Sequence, residues 1–186
     1  MSERWSRVSV QQRFEWIYAN YYEAVLRYCL RRSKREDALD ATAETFTVAW
    51  RRRVEMPRDQ ELPWLYGVAR RVLANQRRSA GRQQMTVARL RAVRSDQVNE
   101  PEFELIRNEE SRAVVSALSR LKPADREIIR LAGWEKLDRG GLALATGCTP
   151  NAVTKRLNRA LDHLAHEMGV VERTKGGFFR RGRVAT

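Results

Sequence analysis

The side chains best suited to specific recognition lie between residues 138 and 165, a segment that predicts two helices joined by a tight turn. Gly147 is placed in that turn, because glycine accepts the left-handed backbone conformation that a tight turn needs. Thr149 can cap the second helix with its hydroxyl group, and Pro150 suits the first helical turn. The polar face of the second helix carries Asn151, Lys155, Asn158 and Arg159, and Thr154 and Arg156 flank it. Together with the capping Thr149, these are the candidate contact residues of the segment.

Those polar residue types suit the reading of base pairs in the major groove of DNA. An asparagine amide can bridge N6 and N7 of adenine, and a lysine or arginine can reach O6 and N7 of guanine. The first turns of the second helix are the part of such a motif expected at the base edges. The alternative is an ordinary amphipathic hairpin whose polar face is only solvated.

A second basic surface is predicted on a helix over residues 63–79. Its apolar stripe, which includes Leu65, Val68 and Val72, leaves arginines on the opposite side. Arginine beside aromatic side chains suits single-stranded or partly opened nucleic acid, in which bases can stack on rings. The alternative is again a solvated face, with Trp64 packed in the core. The residues of this predicted surface are Arg52, Arg53, Trp64, Arg70, Arg71, Arg77 and Arg78.

No arrangement of residues in the sequence indicates catalysis. His163 and His166 could share a helix face, but no third metal ligand is apparent, and the spacing differs from the His-Glu-x-x-His pattern of zinc enzymes. Cys29 and Cys148 do not have the spacing of a ligand pair and are expected to be reduced packing residues. We therefore predict no catalytic residue, no metal site and no cofactor.

The positive charge of the chain is unevenly distributed. The 186 residues carry 36 lysines and arginines against 23 aspartates and glutamates, a formal net charge of +13. Residues 51–82 contribute +6 and residues 111–168 contribute +4, whereas residues 14–50 have a net charge of −1. Such blocks favour two contacts with a polyanion, either nucleic acid or an anionic membrane surface. No apolar run approaches the roughly 20 residues of a membrane-spanning helix, which favours nucleic acid.

The hydrophobic periodicity predicts an all-α protein of two small helical domains joined by a flexible linker, the C-terminal domain being a helix-turn-helix. Strand and hairpin patterns are nearly absent. The polar N-terminus shows no secretory signal, so we expect a cytoplasmic protein. The predicted boundaries are a first domain over 10–82, a linker over 83–105, a second domain over 106–168, and a basic tail over 169–186 that we expect to be disordered.

Segments of the sequence resemble, in order, three parts of the bacterial sigma factors of the extracytoplasmic-function group. Asp37–Trp50 is similar to the family's helix that binds core RNA polymerase, and Pro63–Arg78 is similar to its helix at the promoter −10 element. Leu118–Glu127, Trp134–Leu137 and Gly147–Ala160 are similar to its domain that reads the −35 element. The resemblance covers most of the chain and implies a bacterial protein that lends promoter specificity to RNA polymerase without catalysing a reaction itself.

The resemblance also implies a role for each surface. Asp40 and Glu44, on a face shaped by Phe46 and Trp50, would bind the clamp helices of the polymerase β′ subunit. The β flap of polymerase would be a further contact of the protein. The loop Val54–Glu61 matches the segment that captures a flipped base of the −10 element. The arginine-rich helix would hold the promoter near the position at which its two strands separate. The linker would thread through polymerase. The alternatives are plain surface charge for the two acids and core packing for the two aromatic residues.

The sequence departs from the family pattern at several positions. Ala43 stands where the family usually has glutamine, which would weaken or retune binding to polymerase. Gly140 and Gly141 stand where acidic or polar residues are usual. Because glycine costs about 1 kcal/mol in a helix interior, we expect the first helix of the motif to be short or loosely formed. Arg71 replaces a common asparagine and Asn75 a common aspartate, so the −10 preference of the family is not carried over.

The main alternative is a stand-alone helix-turn-helix regulator that binds duplex DNA without polymerase. Such a regulator has no need of the acidic motif over 37–50, and this motif therefore distinguishes the two hypotheses. Members of the family are commonly held inactive by an anti-sigma factor that inserts between the two domains. The resemblance thus implies core RNA polymerase, promoter DNA and an anti-sigma factor as partners.

Overall fold

The computed structural model describes residues 9–90 and 109–169, and each secondary-structure element in those ranges is an α-helix. The predicted all-α fold class is confirmed. Most of the predicted linker, and all but the first residue of the predicted tail, lie outside the described residues. The helices are α1 (Val10–Leu30), α2 (Arg35–Arg51), α3 (Glu61–Leu90), α4 (Glu109–Arg120), α5 (Pro123–Gly133), α6 (Arg139–Thr146) and α7 (Pro150–Glu167).

Local signals in the sequence set where the helices begin. On α1, the Ser9 hydroxyl accepts a hydrogen bond from the Gln12 amide at 3.1 Å, and the Gln12 side chain accepts one from the Ser9 amide at 3.0 Å. This reciprocal cap satisfies two backbone donors that a helix N-terminus leaves without partners. Pro63 lies in the first turn of α3, where its missing N–H leaves no bond unmade. These local signals fix where α1 and α3 begin.

Helices α1, α2 and α3 pack on one another as an N-terminal domain. Thr42 and Thr45 are buried on α2, and their hydroxyls donate to the carbonyl oxygens of Ala38 and Ala41 at 2.7 and 2.6 Å. Both polar groups are therefore satisfied inside the core. The buried apolar positions include Ile17, Val25, Leu65, Val68 and Val72, of which the last three form the predicted apolar stripe of α3.

In the C-terminal domain, α7 packs against α4, α5 and α6. The buried side chains of this domain include Leu142 on α6 and Val153 and Leu157 on α7, which the helical periodicity places on the inner faces of these helices. The buried residues of both domains belong to one continuous cluster, because α6 also packs against α3. Helix α3 continues to Leu90, past the predicted end at residue 79 and into the predicted linker. Among the described helices, none is long and apolar enough to cross a membrane.

Candidate nucleic-acid interface

Helices α6 and α7 form the predicted helix-turn-helix. Gly147 ends α6 with a φ of 70°, the left-handed conformation that glycine accepts. The Thr149 hydroxyl accepts a hydrogen bond from the Ala152 amide at 3.3 Å, and Pro150 begins α7. The predicted cap and first-turn proline are both confirmed, so the local sequence determines how the second helix enters the motif.

Gly140 and Gly141 do not loosen α6, which is short but regular. The glycines lie in its first turn rather than in its interior, and the Asp138 carboxylate caps the helix by accepting from the Gly141 amide at 2.7 Å. A Cβ atom on Gly141 would lie 3.1 Å from Asp138 Oδ1 and 3.2 Å from Pro63 Cγ. Glycine here therefore permits both the cap and the close approach of α6 to α3. The helix is therefore short, which is one of the two expected outcomes, but it is not loosely formed.

The polar face of α7 is turned away from the core, but its side chains differ in exposure and in whether they are bonded within the protein. Lys155, Asn158 and Arg159 are exposed, and within the described residues no hydrogen bond or ion pair engages them. Arg139 donates to the Asn151 side-chain oxygen, which is also exposed. The freest side chains thus lie on the second and third turns of α7.

Two further predicted residues of α7 are half-buried and bonded within the domain. The Thr154 hydroxyl donates to the Pro150 carbonyl oxygen at 3.0 Å. The Nε atom of Arg156 lies 3.9 Å from Oδ1 of the buried Asp125. These contacts hold both side chains against the domain, so they are poorer candidates for base contact than their exposed neighbours.

Two arginines of α3 are engaged inside the molecule. Arg70 donates from Nε to the Ala145 carbonyl at 3.2 Å and from Nη2 to the Thr146 carbonyl at 2.9 Å, both at the end of α6. Arg77 donates to the Arg32 carbonyl at 2.7 Å. The predicted surface on α3 is therefore only partly available to a ligand.

Arg71 and Arg78 are exposed, and the structure shows neither bonded to another helix. Arg78 donates to the Asn75 side-chain oxygen at 2.6 Å, a bond between exposed groups that a stronger ligand can replace. Within the described residues, no hydrogen bond or ion pair holds Arg71. These two arginines lie two helical turns apart on α3 and face solvent.

The aromatic part of this predicted surface is largely covered. Trp64 is only 9% exposed and belongs to the core, in line with the packing alternative. The Arg52 guanidinium lies 5.9 Å from its ring centre and forms an ion pair with Glu55. Arg53 covers the ring of Trp50 at 4.2 Å and donates to its carbonyl at 2.8 Å. Base stacking on Trp64 would require Arg52 and the core side chains around the Trp64 ring to move.

The acidic face of α2 is available to a partner. Asp40 and Glu44 are both exposed and lie one helical turn apart. Trp50 is 41% exposed and contacts the Phe14 ring edge-on, with ring centres 5.0 Å apart. Phe46, by contrast, is 4% exposed and lies beneath aromatic rings of α1. Phe46 can therefore support the acidic face of α2 from inside the fold, but it is too buried to be the main contact with a partner.

Residues 111–164 match the family described as sigma-70, region 4. The match lies within the C-terminal domain, over helices α4 to α7. It includes the helix-turn-helix and the polar face of α7, and it confirms the predicted resemblance to sigma factors of the sigma-70 family. The chain has no match among the curated protein sequences.

Several solved structures share the fold over most of the chain. The sigma factor RpoE, in complex with the anti-sigma factor NepR from Bartonella quintana, is 21% identical, with a TM-score of 0.66 over 86% of this chain and 99% of that chain. CnrH, in complex with the cytosolic domain of CnrY, is 18% identical, with a TM-score of 0.53 over 87% and 91%. The PhyRSL–NepR complex from Sphingomonas sp. Fr1 gives 16% identity and a TM-score of 0.53 over 95% and 100%. These similarities show a common fold that extends beyond the region 4 domain.

Sequence reasoning missed Arg13, which holds the loop between α2 and α3. Its Nη2 atom donates to the Met56 and Pro57 carbonyls at 3.2 and 3.0 Å and to Glu61 Oε1 at 2.8 Å. Arg13 is 12% exposed and Glu61 is 5% exposed, so the ion pair is largely shielded from water. Nothing in the local sequence signals this contact, because its partners lie more than 40 residues away.

Exposed apolar residues beside the acidic face were also missed. Leu39 on α2 is 41% exposed, and Tyr18 on α1 is 46% exposed with its ring centre 4.8 Å from that of Phe46. Since Leu39 and Phe46 are seven residues apart on one helix, they lie on the same side of α2. The sequence marks both as apolar, but only the packing of α1 on α2 shows which apolar residue remains at the surface.

Proposed function

We propose that this protein is a sigma factor that binds core RNA polymerase and directs promoter-specific initiation of transcription. The observation that carries the proposal is the exposed polar face of α7 within a sigma-70 region 4 domain, in one chain with an exposed acidic face on α2. In this proposal α7 reads the −35 element, and α3 with the loop Val54–Glu61 holds the −10 element as it melts. The cell compartment of this activity is the bacterial cytoplasm.

At the −35 element, the roles of the α7 residues follow from their chemistry and exposure. Asn158 and Arg159 carry the amide and guanidinium groups that bond adenine and guanine edges, and both are exposed. Lys155 is equally exposed and suits a base or a phosphate. Thr149, Asn151, Thr154 and Arg156 are proposed as flanking contacts that set the register of α7 on the duplex.

At polymerase, Asp40 and Glu44 supply the negative charge, on a helix whose segment has a net charge near zero in a strongly basic chain. Opposite charges across an interface steer association and fix register. Trp50 adds an apolar edge to this face, with Phe46 beneath it. The proposed partner surfaces are the basic clamp of the β′ subunit for α2 and the β flap for the C-terminal domain.

The experiment that tests the proposal is runoff transcription with purified core polymerase on a library of promoter fragments. We expect transcripts from a specific subset of fragments, and we expect the double variant Asp40→Arg/Glu44→Arg to abolish them. Glu23→Arg, an exposed charge reversal on α1, is the matched control and should leave transcription intact. DNA binding by the isolated double variant should remain unchanged, because α7 is unaltered.

The outcomes separate the proposed function from its rival. A stand-alone helix-turn-helix regulator would bind specific duplex DNA but direct no transcription by core polymerase. If the double charge reversal leaves promoter-directed transcription intact, the assignment of α2 to polymerase is wrong. If neither core binding nor transcription is seen with the natural sequence, the sigma-factor proposal is overturned.

We also propose that an anti-sigma factor regulates the protein. The similarity in fold to RpoE in its complex with the anti-sigma factor NepR supports this partner. A pull-down from bacterial cells, under resting and inducing conditions, is expected to return polymerase under one condition and an inhibitor protein under the other. Recovery of polymerase alone under both conditions would contradict this part of the proposal.

A further inference from the structure

The first residue of α6 is hydrogen-bonded to the first turn of α7. Arg139 donates from Nε to the Pro150 carbonyl oxygen at 3.2 Å and from Nη2 to the Asn151 side-chain oxygen. Within the described residues, these are the only hydrogen bonds of the Arg139 side chain. Because a guanidinium carries five N–H donors, most of them remain free to bond a ligand. Arg139 and Asn151 are both exposed, so a ligand can reach them.

Local signals bring Arg139 and Asn151 together. The Asp138 carboxylate caps α6 through the amide two residues after Arg139, which makes Arg139 the first residue of that helix. Gly147 then turns the chain, and the Thr149 hydroxyl caps α7. Two capped helix starts joined by one tight turn leave the backbone little freedom. The backbone of the motif therefore places the two side chains within reach of each other.

The bond to Arg139 fixes which way the Asn151 amide points. A guanidinium has only N–H donors, so the group that faces it must be the amide oxygen and not the amide nitrogen. The nitrogen, with its two N–H donors, is the free end of the side chain. Within the described residues, nothing else bonds this amide. Asn151 is therefore presented to a ligand as a hydrogen-bond donor.

A third donor lies at the same end of α7. The Thr149 hydroxyl accepts from the Ala152 amide at 3.3 Å, so its own hydrogen is left to donate. Arg139, Thr149 and Asn151, here called the donor cluster, are all exposed. In the part of the chain that the structure describes, no carboxylate forms an ion pair with Arg139. The donor cluster thus combines several hydrogen-bond donors with a positive charge that is not neutralised.

The four bases differ in what they present to such a cluster in the major groove. Guanine presents two acceptors, N7 and O6, whereas adenine presents one acceptor and one donor. Thymine presents the O4 acceptor beside a methyl group, and cytosine presents a donor. An asparagine bridges adenine when its oxygen accepts from N6, but the oxygen of Asn151 is already bonded to Arg139. The donor cluster therefore fits guanine best and adenine poorly.

We propose that Arg139 is a specificity-determining residue, which makes the start of α7 a reader of guanine by holding the Asn151 oxygen. The amide N–H groups of Asn151 and the free N–H groups of Arg139 donate to N7 and O6 of one guanine. The start of such a helix is the part expected at base edges. Adenine is left to Asn158, whose amide has no partner within the described residues. The inference rests on the proposed function only in that α7 reads duplex DNA.

Base preference in duplex DNA tests this assignment. Duplexes are selected from a random library with the full chain, alone and bound to core polymerase, and each position of the selected site is then replaced by every base pair. Fluorescence anisotropy should show one guanine whose replacement by adenine weakens binding roughly 5- to 150-fold. Arg139→Ala frees the Asn151 oxygen, so the preference there should shift from guanine towards adenine. Lys122→Ala, which removes an exposed charge at the start of α5, is the control and should keep the guanine preference.

Two further measurements separate base reading from charge and from folding. Asn151→Asp keeps the side-chain shape and can still accept from Arg139, but it loses the amide donors and should therefore lose the guanine preference. Replacing N7 of that guanine by carbon should weaken binding by the natural sequence and have little effect on Arg139→Ala/Asn151→Ala, which lacks both donors. Circular dichroism and the midpoint of thermal unfolding should hardly change in these variants, because the altered groups are exposed.

The contrary outcomes are distinct from one another. An equal loss at all four bases in Arg139→Ala would make Arg139 a phosphate contact and overturn the assignment. A guanine preference that survives both Arg139→Ala and Asn151→Asp would show that other residues read that position. Both results leave the sigma-factor proposal standing, since it rests on runoff transcription. If no duplex is selected, with or without polymerase, the reading of DNA by α7 is overturned together with this assignment.

Discussion

The two basic surfaces of this protein use their positive charge in different ways. On α7, Lys155, Asn158 and Arg159 face solvent and are free to meet a ligand. On α3, Arg70 and Arg77 donate to backbone carbonyls elsewhere in the fold. Sequence composition makes the two helices look equivalent, but one presents its charge outward and the other uses much of it to hold the molecule together. Charge in a sequence thus indicates a polyanion site only when the fold leaves it unsatisfied.

The largest effect is expected from Arg13→Ala, which tests how far internal arginines stabilise the N-terminal domain. The change leaves the buried Glu61 carboxylate unpaired and frees the loop carbonyls of Met56 and Pro57. Breaking such a pair costs about 3–5 kcal/mol, measured as the free energy of unfolding in urea. Arg27→Ala, an exposed arginine on the same helix, should cost less than about 1 kcal/mol. Equal effects of the two changes would show that the Arg13 contact contributes little.

The next largest effect is expected on the exposed basic surface of α7. Arg159→Ala should weaken binding to a promoter fragment with an intact −35 element by about 1–3 kcal/mol, or roughly 5- to 150-fold, and relax specificity at one base pair. The midpoint of thermal unfolding should not change, because no internal bond is lost. Lys122→Ala removes an exposed charge at the start of α5 and serves as the control. A loss that is uniform across all DNA sequences would identify Arg159 as a phosphate contact instead.

High pH should weaken the core around Cys29 on α1 and Tyr66 on α3. Burial raises the pKa of Cys29 to about 11 and that of Tyr66 to about 12. Both groups stay neutral in the folded protein at pH values that already ionise them in the unfolded chain. Their contribution to stability is complete below about pH 9 and is lost as the pH rises towards 12. We expect urea titrations to show a loss of about 1 kcal/mol between about pH 9 and pH 10, reduced in Cys29→Ala.

The smallest effects are expected from substitutions of Arg71 and Arg77 on α3, which should differ in kind. Arg71→Ala should lower the dependence of DNA affinity on salt by about one phosphate contact and leave thermal stability unchanged. Arg77→Ala should instead cost about 0.5–1.5 kcal/mol of stability, since it removes the bond to the Arg32 carbonyl. Parallel anisotropy titrations across a salt series and thermal unfolding curves provide both readouts. A stability loss for Arg71→Ala would mean that its exposure is misjudged.

Local features of the fold could be predicted from the sequence because their causes are local. The turn at Gly147 and the cap at Thr149 depend on residues within one helical turn, and both are found as expected. The inner face of α7 follows from the spacing of Val153 and Leu157. Periodicity and capping therefore determine the helix-turn-helix almost completely.

Which side chains are free to contact a ligand could not be predicted, because this depends on contacts between distant parts of the chain. Arg70 and its partner Ala145 are 75 residues apart, and no pattern within either helix indicates that they meet. The same holds for Gly141, which looks like a weak point in the sequence and instead permits close packing against Pro63. Trp64 and Phe46 are apolar in any window, and only the packed domain shows that they are covered.

Arg32 takes part in two contacts at once, and this has a thermodynamic consequence. Its side chain binds Glu127 and Glu135 of the C-terminal domain, while its carbonyl oxygen accepts the hydrogen bond from Arg77. A phosphate that draws Arg77 away removes one of the bonds that fix Arg32. Suppose that separating the domains raises the affinity for such a ligand by some factor. By reciprocal linkage, the bound ligand then shifts the equilibrium towards separated domains by the same factor. If α3 binds DNA as proposed, Arg32 would couple that binding to the contact between the N-terminal and C-terminal domains.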